Sequence, residues 1–109
     1  MDIQELRREA QTMQPQLTAD RRRLHRNPEA GAVLPETVAY VKERLTEMGY
    51  HPQELGGGLT ATVTGTDTGR CILLRADMDA LRGQEQSGLS FRSENGCMHA
   101  CGHDMHTAM

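Results

Sequence analysis

Cys71-Ile72-Leu73-Leu74-Arg75-Ala76-Asp77-Met78-Asp79-Ala80-Leu81 opens with four apolar residues and then presents two carboxylates two positions apart. A short continuous apolar run fits a strand covered on both faces, as in the inner strands of an α/β sheet. Ligands in such sheets bind beyond the carboxyl ends of the strands, so Asp77 and Asp79 would stand where chemistry is done. A solvated strand end or a helix cap also uses aspartate, and this segment alone does not choose. Cys71, within the run, is expected to be inert core.

Upstream, Leu59 to Gly65 alternates apolar residues with Thr60, Thr62 and Thr64, the pattern of a half-buried strand, and Tyr50 to Leu55 can form a short partner. Gly56-Gly57-Gly58 would turn between them, and residues 66–70 would turn into the apolar run. Gly56 to Ala61 formally fits a dinucleotide-binding pattern, but that motif must open a helix and this one opens a strand. A helix is expected from Pro35 to a left-handed cap at Gly49, burying Val38, Val41, Leu45 and Met48. Residues 2–26 carry Ile3, Leu6, Ala10, Met13 and Leu17 at helical spacing. Pro15 interrupts them, which predicts two short helices or one kinked helix. Pro28 to Leu34 reads as a loop.

Downstream, residues 82–97 are polar and loop-like, and a new helix is expected from Gly102 or His103 to the last residue, Met109. It meets no Gly or Pro stop signal, so the pattern is that of one incomplete domain. Just before it lies the densest chemistry, Met98-His99-Ala100-Cys101-Gly102-His103-Asp104-Met105-His106. In extended backbone, residues two apart point the same way, so Cys101 and His103 could reach one ion. A thiolate with an imidazole suits zinc or a related transition metal. Asp104 could ligate or orient a ligand imidazole, and His99 and His106 are further candidates. Any one of these histidines could instead be a surface or core residue.

Composition narrows the function. With 37% hydrophobic residues and 11 Gly among 109, the chain is an ordinary globular sequence, and 3% aromatic content leaves its core to aliphatic residues and seven Met. A net charge of −3 creates no field for nucleic acid or an anionic membrane. The basic run Arg21, Arg22, Arg23 and Arg26 is a solvated helix face without interleaved aromatic residues. No apolar run has the length of a signal peptide or membrane span, which makes a cytoplasmic location the default expectation. Three Cys, an odd count, favour metal binding or a free thiol over a disulfide framework.

Taken together, Arg22-Arg23-Leu24-His25-Arg26-Asn27-Pro28-Glu29-Ala30-Gly31, Thr37 to Gly49, Leu74 to Leu81 and Met98 to Asp104 resemble the M20 metallopeptidase family. Within it the resemblance is to amidohydrolases of the aminoacylase, hippurate hydrolase and indole-acetyl-amino-acid hydrolase type. It implies an α/β fold, the N-terminal part of a zinc-exopeptidase-like α/β/α catalytic domain, with the rest of that domain and a lid or dimerisation domain absent from residues 1–109. It implies metal ligation by Cys101 and His103, an orienting role for Asp79, and Asp77 beside the site. It also implies two divalent ions, Mn or Zn, that activate water against the amide of a small N-acyl amino acid. The remaining ligands and the general-base glutamate would fall beyond Met109, so residues 1–109 alone are expected to be inactive, and the full-length protein a homodimer. His25 belongs to the resembling segment with a packing or hydrogen-bonding role. Arg82-Gly83 departs from the Pro and aliphatic residue usual there, which bears on the loop after Asp79. The alternatives are a small structural metal-binding module built on Cys97, His99, Cys101 and His103, or a non-catalytic relative.

Overall fold

A computed structural model of the chain describes residues 2–66 and 69–109. Helix α1, Ile3–Arg26, is a single 24-residue helix. Asp2 caps it by accepting a hydrogen bond from the Gln4 backbone N–H at 3.2 Å, and Arg23, His25 and Arg26 in its last turn complement the carbonyl end of the dipole. Pro15 does not divide the segment into two helices. Proline removes the bond to the carbonyl four residues earlier, and on Gln11 that carbonyl belongs to an exposed residue where water can replace the lost donor. Residues 2–16 all lie exposed, including Ile3, Leu6 and Met13, and only Leu17 of the expected stripe is half-buried. The first four turns therefore gain little from packing.

Helix α2, Pro35–Glu47, begins with proline at its first position and has no side-chain cap from Leu34. The preceding loop supplies one instead. Glu29 accepts the Thr37 N–H at 2.6 Å on Oε1 and the Glu36 N–H at 3.2 Å on Oε2, satisfying two of the amides left open at a helix start. Gly49, at φ +91°, turns the chain after the helix as expected. Of the expected stripe, Val38 is buried, Val41 and Leu45 are half-buried and Met48 is exposed. Much of the α1–α2 contact is polar. Buried Asp20 accepts on Oδ1 from Tyr40 Oη at 2.7 Å, Arg44 Nε at 3.0 Å and Gln16 Nε2 at 3.1 Å, and this environment, burial first, pushes the Tyr40 hydroxyl up to about 12.

Strands β1, Gln53–Leu55, and β2, Gly58–Thr60, form an antiparallel hairpin turning at Gly56 and Gly57, whose φ angles are +58° and +86°. A Cβ on Gly57 would stand 2.8 Å from the Ala32 carbonyl oxygen, so both conformation and space require glycine there. The pair is shorter than the alternation predicts, and residues 61–65 carry no strand pairing. The turn expected over 66–70 includes Asp67 and Thr68, which lie outside the described residues.

The largest departure is Cys71 to Leu74. It forms no strand, and Ile72, Leu73 and Leu74 are 85%, 88% and 90% exposed; Cys71 is exposed too, not core. An inner strand exists only where neighbours pair with it and layers cover it, and the described residues place none there. Order returns at Ala80, whose N–H donates to the Glu29 carbonyl at 2.8 Å beside a parallel bridge between Ala30 and Ala80. Strands β3, Leu81–Arg82, and β4, Cys97–Met98, then pair antiparallel across the two ends of the segment read as loop. Helix α3, His103–Ala108, begins after Gly102 and lies against Asp77, whose carbonyl accepts the Thr107 hydroxyl at 2.9 Å. The fold is thus mixed α/β, with helices packed beside two short antiparallel pairs. Its buried apolar residues include Leu24, Leu34, Val38 and Ala80, and buried polar residues are prominent among them: Asp20, His25, Thr37, Ser93, His99 and Asp104.

The capping role of Glu29 has a measurable consequence. Glu29→Ala is expected to cost ~1 kcal/mol, the usual loss on removing a helix cap, in urea unfolding followed by circular dichroism, whereas Glu36→Ala, on an exposed neighbour, should cost less. Equal effects would show that the Glu29 carboxylate does not stabilise α2.

Candidate metal centre

The end of the 71–79 segment and the start of α3 meet around a small cavity of about 10 Å³, lined by Asp79, Ala80, Leu81, His99, Ala100, Cys101 and His103. That is room for about one water molecule. Gly102 brings the cysteine and histidine there by a route the sequence did not suggest. Its φ of 90° and ψ of 10° place it in the left-handed region, so the backbone between Cys101 and His103 turns sharply and is not extended. A β-carbon is strained in that region, which makes glycine at 102 a geometric need.

His103 Nδ1 lies 2.9 Å from the Asp79 carbonyl oxygen and 3.1 Å from Asp79 Oδ1. A donor at Nδ1 leaves Nε2 with its lone pair, the arrangement in which a second group orients a ligating imidazole. Cys101 is a free, exposed thiol. Asp77 pairs with Arg75 at 2.7 Å and does not line the cavity. His106 is exposed and also outside it. His99 does line it, is 8% exposed, and has both ring nitrogens buried without a hydrogen-bond partner. Burial pushes its imidazole below the ordinary histidine range, favouring the neutral ring. Among the described residues no group of three or more His, Cys, Asp or Glu side chains is arranged to hold an ion.

Asp104 turns the other way. It is 1% exposed and receives Arg21 Nε at 2.9 Å and His25 Nδ1 at 2.7 Å, both on Oδ2. Burial alone would raise its carboxyl, but the hydrogen bond from His25 and the charge of Arg21 outweigh that and hold it below the ordinary range. The opposite face of the His25 ring meets Glu85, with Nε2 2.9 Å from Oε1 and 3.1 Å from Oε2. Each ring nitrogen of His25 therefore faces a carboxylate. Glu85 also accepts the Ser93 N–H at 3.0 Å and the Ser87 hydroxyl. Against the upward push of burial, the bonds from Ser87, Ser93 and His25 hold its carboxyl at about 2. Sequence reading gave His25 a packing or hydrogen-bonding role without a partner, did not single out Glu85, and put Arg21 on a solvated helix face, whereas Arg21 is half-buried and paired with the buried Asp104 carboxylate. The partners of His25 lie 79 and 60 positions away, beyond any local pattern.

Residues 73–109 match the model of peptidase family M20/M25/M40. The chain is 45% identical over 100 residues to an N-acetyl-L-cysteine deacetylase of Bacillus subtilis, an alignment covering 89% of this chain and 24% of that protein. It is 39% identical over 114 residues to an N-acyl-L-amino acid amidohydrolase of Geobacillus stearothermophilus, covering all of this chain and 30% of that one. Among solved structures it superposes with a TM-score of 0.83 on the Bacillus subtilis YXEP protein, described as a dinuclear metal binding peptidase from the M20 family. Identity there is 39%, over 90% of this chain and 28% of that one. The chain therefore spans 24% to 30% of the length of these relatives.

The depressed carboxyls set the acid limit of this region. A carboxylate with a lowered folded pKa stabilises the fold above its unfolded value and loses that contribution as pH falls through the folded one. For Glu85 the window runs from the ordinary 4.5 down to about 2. Urea midpoints measured across it should fall steeply in the wild type. In Glu85→Gln they should be lower at neutral pH and flatter through the same range; parallel curves would mean the carboxylate makes no such contribution.

Proposed function

Since this chain belongs to the M20/M25/M40 peptidase family, we propose that it is part of a metal-dependent amidohydrolase that cleaves the amide bond of small N-acyl amino acids. The observation that carries the reading is the convergence of Cys101, His103 and Asp79 on one cavity, with His103 Nδ1 held by Asp79. The relatives named as a deacetylase and an amidohydrolase supply the substrate class, and the dinuclear neighbour supports two ions.

The donor chemistry fits such a centre. A thiol and an imidazole, with the imidazole's second nitrogen already engaged, form a borderline-soft pair suited to zinc or a related transition metal. Cys101 and His103 would hold an ion, and Asp79 would fix the ring so that Nε2 faces it. The chemistry two such ions supply when bound is Lewis acidity, lowering the pKa of water and polarising the amide carbonyl. Asp79 does its part through two oxygens, since carbonyl and carboxylate both face Nδ1 and restrain the ring's rotation as well as its tautomer. Cys101 would hold the ion as thiolate, its exposure leaving a path for the proton to solvent. The general base and the remaining ligands lie outside residues 1–109 on this reading.

Two measurements test it. Cys101→Ser and His103→Ala in the intact enzyme are expected to lower bound metal and hydrolysis of N-acetyl amino acids together; metal content and turnover both left untouched in either variant would sink the reading. Purified residues 1–109 are expected to show no turnover, and hydrolysis by them would place the catalytic groups within this chain.

A further inference from the structure

Cys101 and His103 flank a glycine that has no side chain to fix its own geometry. Their spacing must therefore be set by what holds the residues on either side. On the His103 side the next residue is Asp104, buried and bound by His25 and Arg21. On the Cys101 side the chain runs back through β4, where the Cys97 carbonyl accepts the Ser93 hydroxyl, and the Ser93 N–H donates to Glu85. Glu85 in turn accepts from His25. Both tethers end on the two opposed nitrogens of one ring, 5% exposed, on α1.

We propose that His25 is a positioning residue for the Cys101–His103 pair, bridging Asp104 and Glu85 so that the two donors are held at a spacing an ion can use. The proposal rests on the ligand reading above. Imidazole suits the task because its two nitrogens stand on opposite edges of one rigid ring, one against each carboxylate. Glutamine offers donors at one end only and would turn a carbonyl toward the second carboxylate. Losing the bridge leaves Asp104 its bond from Arg21 and Glu85 its bonds from Ser87 and Ser93, so the two arms keep local partners while their mutual distance is freed. A purely structural role would predict that any equal loss of stability has the same effect on the site. The Asp20 hub provides that comparison, since it ties α1 to α2 and is outside the cavity lining.

The test is titration of the purified chain with Co(II), read by the thiolate-to-cobalt charge-transfer absorption, in the wild type, His25→Gln, Glu85→Gln, Asp20→Asn and Cys101→Ser. Unfolding midpoints are measured in parallel. His25→Gln is expected to weaken Co(II) binding by ~10- to 100-fold, as losses of outer partners do at metal sites. Glu85→Gln, which alters one arm, should weaken it less, and Asp20→Asn should leave it unchanged at comparable loss of stability. Absorption persisting in Cys101→Ser would overturn the ligand reading and this proposal with it. Absorption lost there, with His25→Gln and Glu85→Gln binding as the wild type does or no worse than Asp20→Asn, would overturn the positioning role alone. Should His25→Gln fail to fold, Glu85→Gln against Asp20→Asn decides the matter by the same criterion.

Discussion

A carboxylate with 1% of its surface exposed, as Asp104 has, cannot be kept charged in a protein interior without partners. Desolvation costs several kcal/mol per ion even after relaxation. Arg21 and His25 offset it, and because both stand one turn apart on α1 while Asp104 opens α3, meeting this demand fixes how the two helices dock. Buried ion pairs contribute little net stability over a well-packed apolar contact, but removing one member strands the other. Their effect here is on arrangement: few placements of α3 satisfy Asp104, whereas the Met and Ala residues of that helix could pack in many.

The second half of α1 thus works on two faces. Asp20 gathers Tyr40 and Arg44 from α2, and Arg21 and His25 gather α3 and the loop of Glu85. The chain leaving the helix continues the task, since the Pro28 carbonyl accepts Asn95 Nδ2 at 2.8 Å and the Glu29 carbonyl accepts the Ala80 N–H, while the Glu29 side chain caps α2. Residues 20–30 are therefore the joint at which the helices and both segments bearing the candidate site meet. The family model matches residues 73–109, which carry the candidate ligands Cys101 and His103, while the alignment with the Bacillus relative covers 89% of the chain and so reaches residues 20–30.

How much of this was legible in the residue string depended on the range of the interaction. Proline at 35, glycine at 49 and the Gly56-Gly57 turn act within a few residues, and α2 and the hairpin stand where those signals put them. The chemical cluster was legible as a group for the same reason, and Cys101, His103 and Asp79 do share one cavity. The conformation joining them was not, because the same glycine serves an extended or a left-handed backbone and only packing selects between them. Asp104 could have faced the site or turned from it; what turns it is Arg21 and His25, more than 75 positions away in the chain. That Pro15 leaves one helix and not two has a local reason, since proline's cost in a water-exposed turn is one bond that solvent can replace.

Ile72, Leu73 and Leu74 present the opposite case, a strong local pattern whose expected structure is not there. Three large apolar side chains at 85% to 90% exposure lose the stabilisation of roughly 1.5–3 kcal/mol each that full burial would bring. Extended apolar backbone without a hydrogen-bonded neighbour is moreover the kind of edge that proteins normally pair or cover. The pattern is a statement about an environment, and a strand apolar on both faces requires a neighbour on each side and a layer above and below. The described residues supply only part of that setting, through the Ala30 bridge to Ala80 and the contact of Asp77 with α3. Both contacts lie at the downstream end of the segment, where Asp79 meets His103. The end bearing the candidate site is thus held by residues 29–30 and α3, which is why Asp79 can hold an imidazole while the apolar run leading to it stands uncovered.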